Sequence, residues 1–386
     1  MRHSAAKRVP QKAVWILALL LPVAPAVAAD GNTPTIEDCK AEETIRFRGG
    51  TARLENDLFI GRDQNYTNGV VFTAVSHDIP GKLQTRCLPK PVRLHAKFIQ
   101  SVNPGFWSDA GGSAPTQNVV VKFGQSMFTP EDYTRTDLIR DDRPYAGLLY
   151  VGMSWNRRKH DPGSNREMLD TREVTFGVIG PLALAEESQN VVHDMVGSER
   201  FAGWDHQLKN EPALQIAMDR KFRDFRGAGA VTPGFSSDFI HSLGLRVGNI
   251  ETSATLGVEG RIGWNLPNDF GTYPIRPGAE NRPPSASVHS SSGNAARRVR
   301  PGVQLFGTLE AKLVAYDFSL DGNLFRSSHS VTRRPWVGQA AVGISVHGLV
   351  AGHGVKLAVM RVYRTDEFEE QDVNQAHGSI ALSIDF

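Results

Sequence analysis

Apolar and polar residues alternate along much of this chain with a period of two. The clearest segment is 303–313, and 119–127 and 174–178 show the same pattern. In 303–313, Leu305 and Leu309 alternate with polar residues. Because successive side chains of a strand point to opposite faces, these segments are predicted to be β-strands with one apolar face.

About twelve such segments recur, an even number that is typical of single-chain outer-membrane barrels. They begin near Thr51, Tyr66, Asn118, Tyr145, Thr171, Glu211, Phe235, Glu251, Pro301, Arg334, His353 and Ala376. The same alternation also permits a large soluble β-sandwich or a lipocalin-like barrel. The predicted fold is all-β: a twelve-stranded antiparallel transmembrane β-barrel with a short helix in an external loop.

Both ends of the chain favour the membrane barrel. At the N-terminus, basic residues precede the apolar run Ala13–Val23 and the small-residue site Ala26–Ala28, the pattern of a secretory signal peptide. At the other end, Ser379–Phe386 alternates and stops on a Phe, which resembles the C-terminal signal of bacterial outer-membrane barrels. The predicted organisation is a signal peptide (1–28), a periplasmic leader (29–50) and an outer-membrane barrel (51–386).

The composition argues against a bundle of transmembrane helices and against a nucleic-acid-binding protein. After the signal peptide, no apolar run is long enough for a transmembrane helix, and the mean hydropathy is −0.29. The net charge of +2 is too small to indicate a nucleic-acid partner. The two cysteines, Cys39 and Cys87, are predicted to form a disulfide, because exported proteins meet an oxidising compartment.

Strand parity assigns the loops to the two sides of the membrane. If both chain ends are periplasmic, the segments 61–65, 130–143 and 181–210 lie together on the external side. The Pro/Ser/Arg-rich segment 264–300 is then periplasmic, although long loops of such barrels are usually external. Its composition is typical of a disordered segment.

The external segment around His193 is predicted to contain a helix. Gln189 and His193 are four residues apart, so a helix places both on one stripe, and Gly197 lies where a helix usually ends. The alternative is an ordinary surface helix with an incidental histidine. The functional interpretation makes His193 a general base, with the nearby Glu199 as an acidic partner.

Two other external segments carry candidate ligands. Asn56 and Asp57 begin an oxygen-rich hairpin that suits a hard cation such as calcium, although an Asx-rich turn would have the same composition and the two side chains point to opposite faces of an ideal strand. Arg135 and Arg143 are candidate phosphate ligands, because guanidinium pairs bidentately with phosphate. A rim charge network with neighbouring aspartates is the alternative for the arginines.

Together these groups suit metal-assisted ester hydrolysis. The imidazole of His193 removes a proton from water, and a cation stabilises the tetrahedral oxyanion. No G-x-S-x-G motif is present, which argues against a serine triad.

Several motifs occur in the order found in a known family. They are E-N-D followed by Y-T-N-G (Glu55–Asp57 and Tyr66–Gly69), D-R-P-Y-A-G (Asp142–Gly147), G-V-I-G-P (Gly177–Pro181), and Q-N-x-x-H with G-W-D-x-Q-L (Gln189–His193 and Gly203–Leu208). Over nearly the whole mature chain, this pattern resembles the outer-membrane lipid A 3′-O-deacylases. That family has a twelve-stranded barrel and removes the 3′-linked acyloxyacyl chain of lipid A with calcium and a histidine.

The resemblance implies a role for each matching residue. His193 would be the general base with Gln189 beside it, while Asn56 and Asp57 match the active-site Asn-Asp pair and Thr67 matches the Thr of the Y-T-x-G turn. Glu199 matches an acidic site residue. The implied calcium ligands are Asn56, Asp57 and Glu199. The implied contacts to the headgroup involve Arg135, which is the weakest match, and Phe201 stands where the family can have a Tyr.

The expected function is therefore that of an outer-membrane esterase acting on lipid A, with its active site facing the external leaflet. Calcium is the expected cofactor, and lipid A or lipopolysaccharide in the outer membrane the expected partner; no protein partner is implied. An outer-membrane phospholipase is the alternative among enzymes. A non-catalytic channel or adhesin is the alternative among barrels without activity.

Overall fold

The structure of the protein, a computed structural model, describes residues 45–56, 65–80, 87–107, 115–161, 166–226, 234–272, 274, 300–371 and 375–386. Its strands are β1 (Phe47–Asn56), β2 (Asn65–Ser76), β3 (Ile79–Pro80), β4 (Thr116–Thr129), β5 (Ala146–Asp161), β6 (Arg166–Ile179), β7 (Glu211–Arg226), β8 (Phe235–Gly248), β9 (Glu251–Trp264), β10 (Gly302–Asp317), β11 (Trp336–Val350), β12 (His353–Arg364) and β13 (Gln375–Asp385). The helices are α1 (Lys90–Val102), α2 (Ala185–Val196) and the single turn α3 (Phe318–Asp321).

Twelve of these strands form a closed antiparallel barrel. Each pairs with its neighbour in sequence, β13 returns to pair with β1, and β2 pairs with β4 because β3 is only a two-residue extension beside β4. The predicted fold and strand count are confirmed. The first strand begins at Phe47 rather than near Thr51, so the end of the predicted leader belongs to the barrel wall.

The outer surface of the wall is apolar because alternate side chains point outwards. Phe123 on β4, Val151 on β5 and Phe176 on β6 are each about half exposed, at 52%, 49% and 59%. Aromatic side chains lie at the end that holds the chain terminus, where exposed Phe235 pairs in register with Trp264. An apolar band with aromatic margins is the exterior of an outer-membrane barrel.

The lumen is filled by paired charges. Lys122 contacts Glu173 at 2.6 Å, and both side chains are buried. Asp238 accepts hydrogen bonds from Arg223 and Arg261, also inside the wall. Since an unpaired charge in this space would be costly, both of these guanidinium groups are matched by the Asp238 carboxylate.

We call the end of the barrel near Phe47 and Asp385 the terminal end, and the end near Asn56 and α2 the site end. At the terminal end, the residues after β9 enter the lumen: Asn268 accepts hydrogen bonds from Arg158 and Arg223, and Asp269 contacts Lys356 at 2.6 Å. The first part of the segment predicted to be disordered is therefore fixed by lumen side chains. Residues 275–299 lie outside the described part.

The two longer helices lie against the outside of the wall. Leu88, Val92, Ala96 and Ile99 of the α1 region pack with Val119 and Trp155, whose side chains are on the same outward rows of β4 and β5 as Phe123 and Val151. Cys87, just before α1, is disulfide-bonded; Cys39 and the predicted signal peptide lie outside the described residues. In the described part of the chain, no helix is both long and apolar enough to cross a membrane.

Candidate active site between α2 and the barrel wall

The α2 helix has a polar face that is buried and an apolar face that is exposed. Gln189 and His193 are buried at 3% exposure each, so the predicted stripe faces inwards. The opposite face presents Leu184, Val191 and Met195, exposed at 50%, 49% and 53%. A helix surrounded by water would carry polar residues there. The inverted pattern places an apolar surface on one side of the helix and the candidate base on the other.

His193 is fixed at both its backbone and its ring. The helix ends after Val196 at Gly197, in the left-handed region with φ of 74°, and the amides of Gly197 and Ser198 both donate to the carbonyl of His193. The Nδ1 atom lies 2.5 Å from the backbone carbonyl oxygen of Glu199. A carbonyl can only accept, so Nδ1 carries the proton, and Nε2 is the basic nitrogen of the neutral ring.

Aromatic rings complete the pocket around the imidazole. The ring of Phe201 meets His193 edge-on at 5.1 Å, and Tyr133 stacks on the other side of Phe201 at 4.7 Å. Trp204 donates from Nε1 to the Oε1 atom of Gln189 at 2.8 Å. Gln189 therefore joins the helix to the loop that follows it. This contact lies one helical turn from the candidate base His193.

The helix is docked on the outer wall by hydrogen bonds from Gln125 and by a buried cluster of apolar residues. Gln125 of β4 donates to the carbonyls of Ala183 and Leu184 at 2.7 and 3.1 Å. Met127 of β4 packs in one buried cluster with Tyr145, Ala185, Phe201 and Trp204. These outward positions follow from strand alternation, because Phe123 in the same row faces the exterior.

Glycine is required where the helix touches β5. A Cβ on Gly147 would lie 2.6 Å from the Cβ of Ala185, and one on Gly203 would lie 2.5 Å from the Tyr145 ring. Both glycines belong to motifs that carry the family resemblance. Their role is close approach of the helix and its following loop to the wall.

The register brings Asn56 into the same outer row. Asn56 pairs with Asn68 of β2, Asn68 pairs with Met127, and Met127 pairs with Gly147. With strands about 4.8 Å apart, Asn56 lies about 10 Å along the wall from Met127. Asn56 is 7% exposed. The predicted Asn56 and His193 thus share the outer surface of the site end.

Two predicted site residues, Thr67 and Asp57, are described only in part or not at all. The β2–β4 register shifts between Tyr66 and Asn68, which leaves Thr67 as an unpaired bulge residue in the Y-T-N-G motif. The side chain of Thr67 and all of Asp57 lie outside the described residues. Their predicted roles stay predictions.

Glu199 contacts His193 in a way that its residue type did not indicate. The prediction assigned an acidic side chain to the site, but the contact is made by the main-chain oxygen, while the side chain is exposed. Any residue can supply that oxygen. The role of the Glu199 carboxylate as a calcium ligand stays a prediction.

The two arginines differ from the prediction of phosphate ligands. Arg143 is 0% exposed, pairs with Glu367 at 2.7 Å and lies over the rings of Phe128 and Phe368, so its guanidinium holds the wall and a neighbouring loop together instead of facing a substrate. Arg135 is exposed but pairs with Asp137. The alternative interpretation, a rim charge network with neighbouring aspartates, describes Arg135 in this structure.

The described donors fall short of a calcium cage. Within the described residues, no group of three His, Cys, Asp or Glu side chains could hold a metal ion. Amide and carboxylate oxygens of Asn56 and Glu199 are of the right chemical type, but calcium takes six to eight oxygens. The remaining predicted ligand, Asp57, lies outside the described part.

Sequence reasoning missed the residues that seat the helix. Gln125 and Met127 were assigned only to a strand, and Gly147 and Trp204 were named only as members of the family motifs, with no role assigned to them. A signal was present in the alternation of β4, where Gln125 interrupts an outward row that is otherwise apolar from Val119 to Met127. A polar residue at a lipid-facing position indicates a covered surface.

Comparison with known proteins supports the fold and the family. The family model described as Outer membrane protein LpxR matches residues 14–386. Among solved structures, the chain is similar to LpxR from Salmonella typhimurium, with 16% identity, a TM-score of 0.60, and coverage of 88% of this chain and 100% of that chain. The beta domain of the Bordetella autotransporter BrkA matches at 12% identity and a TM-score of 0.40, over 88% and 100% of the two chains. Comparison with curated proteins found no match.

Proposed function

The chain belongs to the LpxR family of outer-membrane proteins, and from this premise we propose that it is a lipid A 3′-O-deacylase. The proposed reaction is hydrolysis of the ester that joins the 3′-linked acyloxyacyl chain to the glucosamine. The observation that carries the proposal is the location of His193. It is buried between the outer wall of the barrel and a helix whose other face is apolar.

At this location the base can be reached by a substrate that lies in the membrane. The acyl chains of lipid A remain in lipid beside the exposed Leu184, Val191 and Met195, while the sugar lies at the rim. In this proposal the site end faces outside the cell, so the helix is level with the external leaflet. A lumen site would exclude such a substrate, because paired charges fill the lumen.

His193 acts as the general base in the proposed mechanism. With Nδ1–H bonded to the carbonyl of Glu199, Nε2 accepts a proton from water. The resulting hydroxide attacks the ester carbonyl carbon, and the tetrahedral intermediate collapses with cleavage of the bond to the sugar oxygen. The imidazolium returns the proton to that oxygen, giving a free 3′-hydroxyl and a fatty acid. Gln189 and Trp204 hold the helix that positions the ring.

Calcium remains a proposed cofactor with Asn56, Asp57 and Glu199 as proposed ligands. When bound, the ion would supply positive charge for the oxyanion. Activity of purified protein should be lost in EGTA and restored by calcium but not by magnesium, which demands a smaller octahedral shell. Full turnover in EGTA would remove the metal from the proposal.

Mass spectrometry of lipid A from cells that express the chain tests the function. We expect the wild type to lose the mass of the 3′-acyloxyacyl group, and His193→Ala to leave lipid A intact while keeping heat-modifiable barrel migration. Asp194→Ala is the matched control, because Asp194 is exposed on the same helix and pairs only with Arg200 among the contacts described. Release of the acyl group by His193→Ala would contradict the mechanism.

A phospholipase is separated from the deacylase by its products. Purified protein offered lipid A and glycerophospholipid vesicles in parallel should release fatty acid from lipid A alone. Release from both substrates, or from phospholipid alone, would identify the alternative enzyme.

A further inference from the structure

The α1 helix lies on the outer wall at the terminal end, away from the candidate active site. Its buried residues Val92, Ala96 and Ile99 pack with Val119 and Trp155 on the outward rows of β4 and β5. The turn after it adds Phe106, whose carbonyl accepts a hydrogen bond from the outward-facing Arg157. The helix is therefore attached to the surface that continues into the lipid-facing band.

The side chains that do not face the wall form two separate stripes. At 100° per residue, Leu94, Phe98 and Val102 follow one flank of α1, and they are exposed at 58%, 37% and 47%. Lys90, Arg93 and Lys97 follow the other flank. The helix contains no Asp or Glu, so one flank is apolar and the only charged residues on the other flank are cationic.

The position of α1 matches one margin of the hydrocarbon layer. On β4, Val119 beneath α1 and Met127 beneath α2 are eight residues apart, with exposed Phe123 between them. Eight residues of a strand tilted by about 40° span about 20 Å along the barrel axis. The apolar band of such barrels is about 25 Å tall. The helices α1 and α2 thus lie at opposite margins of the band.

We propose that α1 is an interfacial helix that inserts Leu94, Phe98 and Val102 among the acyl chains of the leaflet at the terminal end and holds anionic phospholipid headgroups with Lys90, Arg93 and Lys97. An apolar flank beside a cationic flank is the arrangement of helices that lie in the plane of a phospholipid surface. Because the apolar flank of α1 continues into the lipid-facing exterior of the barrel, lipid rather than water is expected to cover it. The cationic flank selects anionic headgroups.

Spin labels at three positions of the full chain test the depth of α1. The protein is placed in nanodiscs of phosphatidylethanolamine and phosphatidylglycerol, with labels on Leu94→Cys, Phe98→Cys or Lys97→Cys. We expect the labels at 94 and 98 to be accessible to oxygen and shielded from a nickel chelate, and the label at 97 to show the opposite preference. Heat-modifiable migration confirms that each variant is folded.

Two results would overturn the proposal. Equal access of the nickel chelate to labels at 94, 98 and 97 would show that the apolar flank is in water. Shielding of 94 and 98 from both reagents, in nanodiscs and in detergent alike, would show that protein covers it, either the N-terminal segment or another chain.

The cationic flank has its own test, which does not depend on catalysis. Hydrogen exchange of the α1 amides should slow at least fivefold when phosphatidylglycerol is raised from none to a third of the lipid, and 0.5 M salt should reverse the effect. A variant with Lys90, Arg93 and Lys97 changed to Gln should show no dependence on anionic lipid. The control, Arg135→Gln at the other end of the barrel, should behave as wild type. Equal lipid dependence of the triple variant and wild type would remove the headgroups from the proposal.

Discussion

The ring of His193 and the guanidinium of Arg143 are each held by a contact that decides what the residue can do. His193 and Gln189 were predicted from their four-residue spacing, and the structure places both on the inner face of α2. Glu199 contacts His193 through its main chain, so no side-chain pattern could have indicated that contact. Arg143 was expected to contact the substrate because it lies near the rim and a guanidinium pairs bidentately with phosphate. Its actual partner, Glu367, is distant in sequence and becomes a neighbour only when the barrel closes.

The buried pair of Arg143 and Glu367 makes a prediction about stability. Removing one partner of a buried ion pair costs about 3–5 kcal/mol, and the cost here is at the lower end because Glu367 keeps its ion pair with Arg364. Arg143→Ala should lower the free energy of unfolding in urea by about this amount, whereas the exposed Arg135→Ala should change it by less than about 0.5 kcal/mol. If Arg143→Ala instead abolished deacylation at unchanged stability, the original expectation of a substrate contact would be restored.

His95 on α1 makes a prediction about pH. Burial lowers the pKa of His95 to about 4, below its ordinary value of about 6.5. The attached helix therefore holds the His95 ring in its neutral form. The stability of the attached helix that depends on this neutral ring is fully present above pH 6.5 and is lost as the pH falls towards 4. The loss should reach up to about 3 kcal/mol.

Hydrogen exchange of the α1 amides between pH 7 and 4.5, corrected for intrinsic rates, measures this effect. His95→Asn keeps a polar side chain of similar size without a proton to gain, so its protection should fall less steeply. Parallel curves for the two proteins would show that other groups govern the acid sensitivity of α1.

At the scale of elements, the strands were predictable and the helices only in part. The twelve strand starts follow from alternation, because each strand has one face in lipid and one in a polar lumen. The helix α2 was predicted because its polar stripe is distinct. The helix α1 was not, because Leu94 and Phe98 are apolar on the side away from Val92 and Ala96, and apolar residues on two faces obscure the helical period.

The contact between α2 and β5 gives a prediction at this scale. Gly147→Ala would bring two methyl groups to 2.6 Å, so the helix must shift off the wall. We expect deacylation to fall at least tenfold while the barrel stays folded. The matched control is Gly307→Ala, also in a strand, whose added Cβ would meet nothing closer than 3.9 Å. Wild-type activity in Gly147→Ala would mean that the helix position does not govern the site.

At the scale of the whole molecule, closure of the wall separates two environments with different chemistry. Alternation predicted that separation, but the contents of the lumen depended on which strands meet. Asp238, for instance, bonds Arg223 of one neighbouring strand and Arg261 of the other. The entry of Asn268 and Asp269 into the lumen was also not predictable, because their segment is polar in composition and its partners are lumen side chains from distant strands.

Because side chains fill its lumen, the barrel is predicted not to conduct ions. The side chains of Lys122, Glu173 and Arg261 are buried inside the wall, and at the terminal end Asp269 pairs with Arg261 and Asn268 accepts a hydrogen bond from Arg223. In planar bilayers the purified protein should give no stable conductance steps at 100 mV. Porin-like steps would favour the channel alternative over a lipid-facing enzyme.

The bond between the ring of His193 and the main chain of Glu199 closes a small cycle that contains residues 194–198. Its partner atom is a carbonyl that every amino acid possesses, so the identity of the intervening residues matters little. The number of those residues matters a great deal, since one more or one fewer would rotate the peptide group away from the imidazole. This short stretch is therefore expected to accept exchanges of side chains, Gly197 apart, and to reject insertions and deletions.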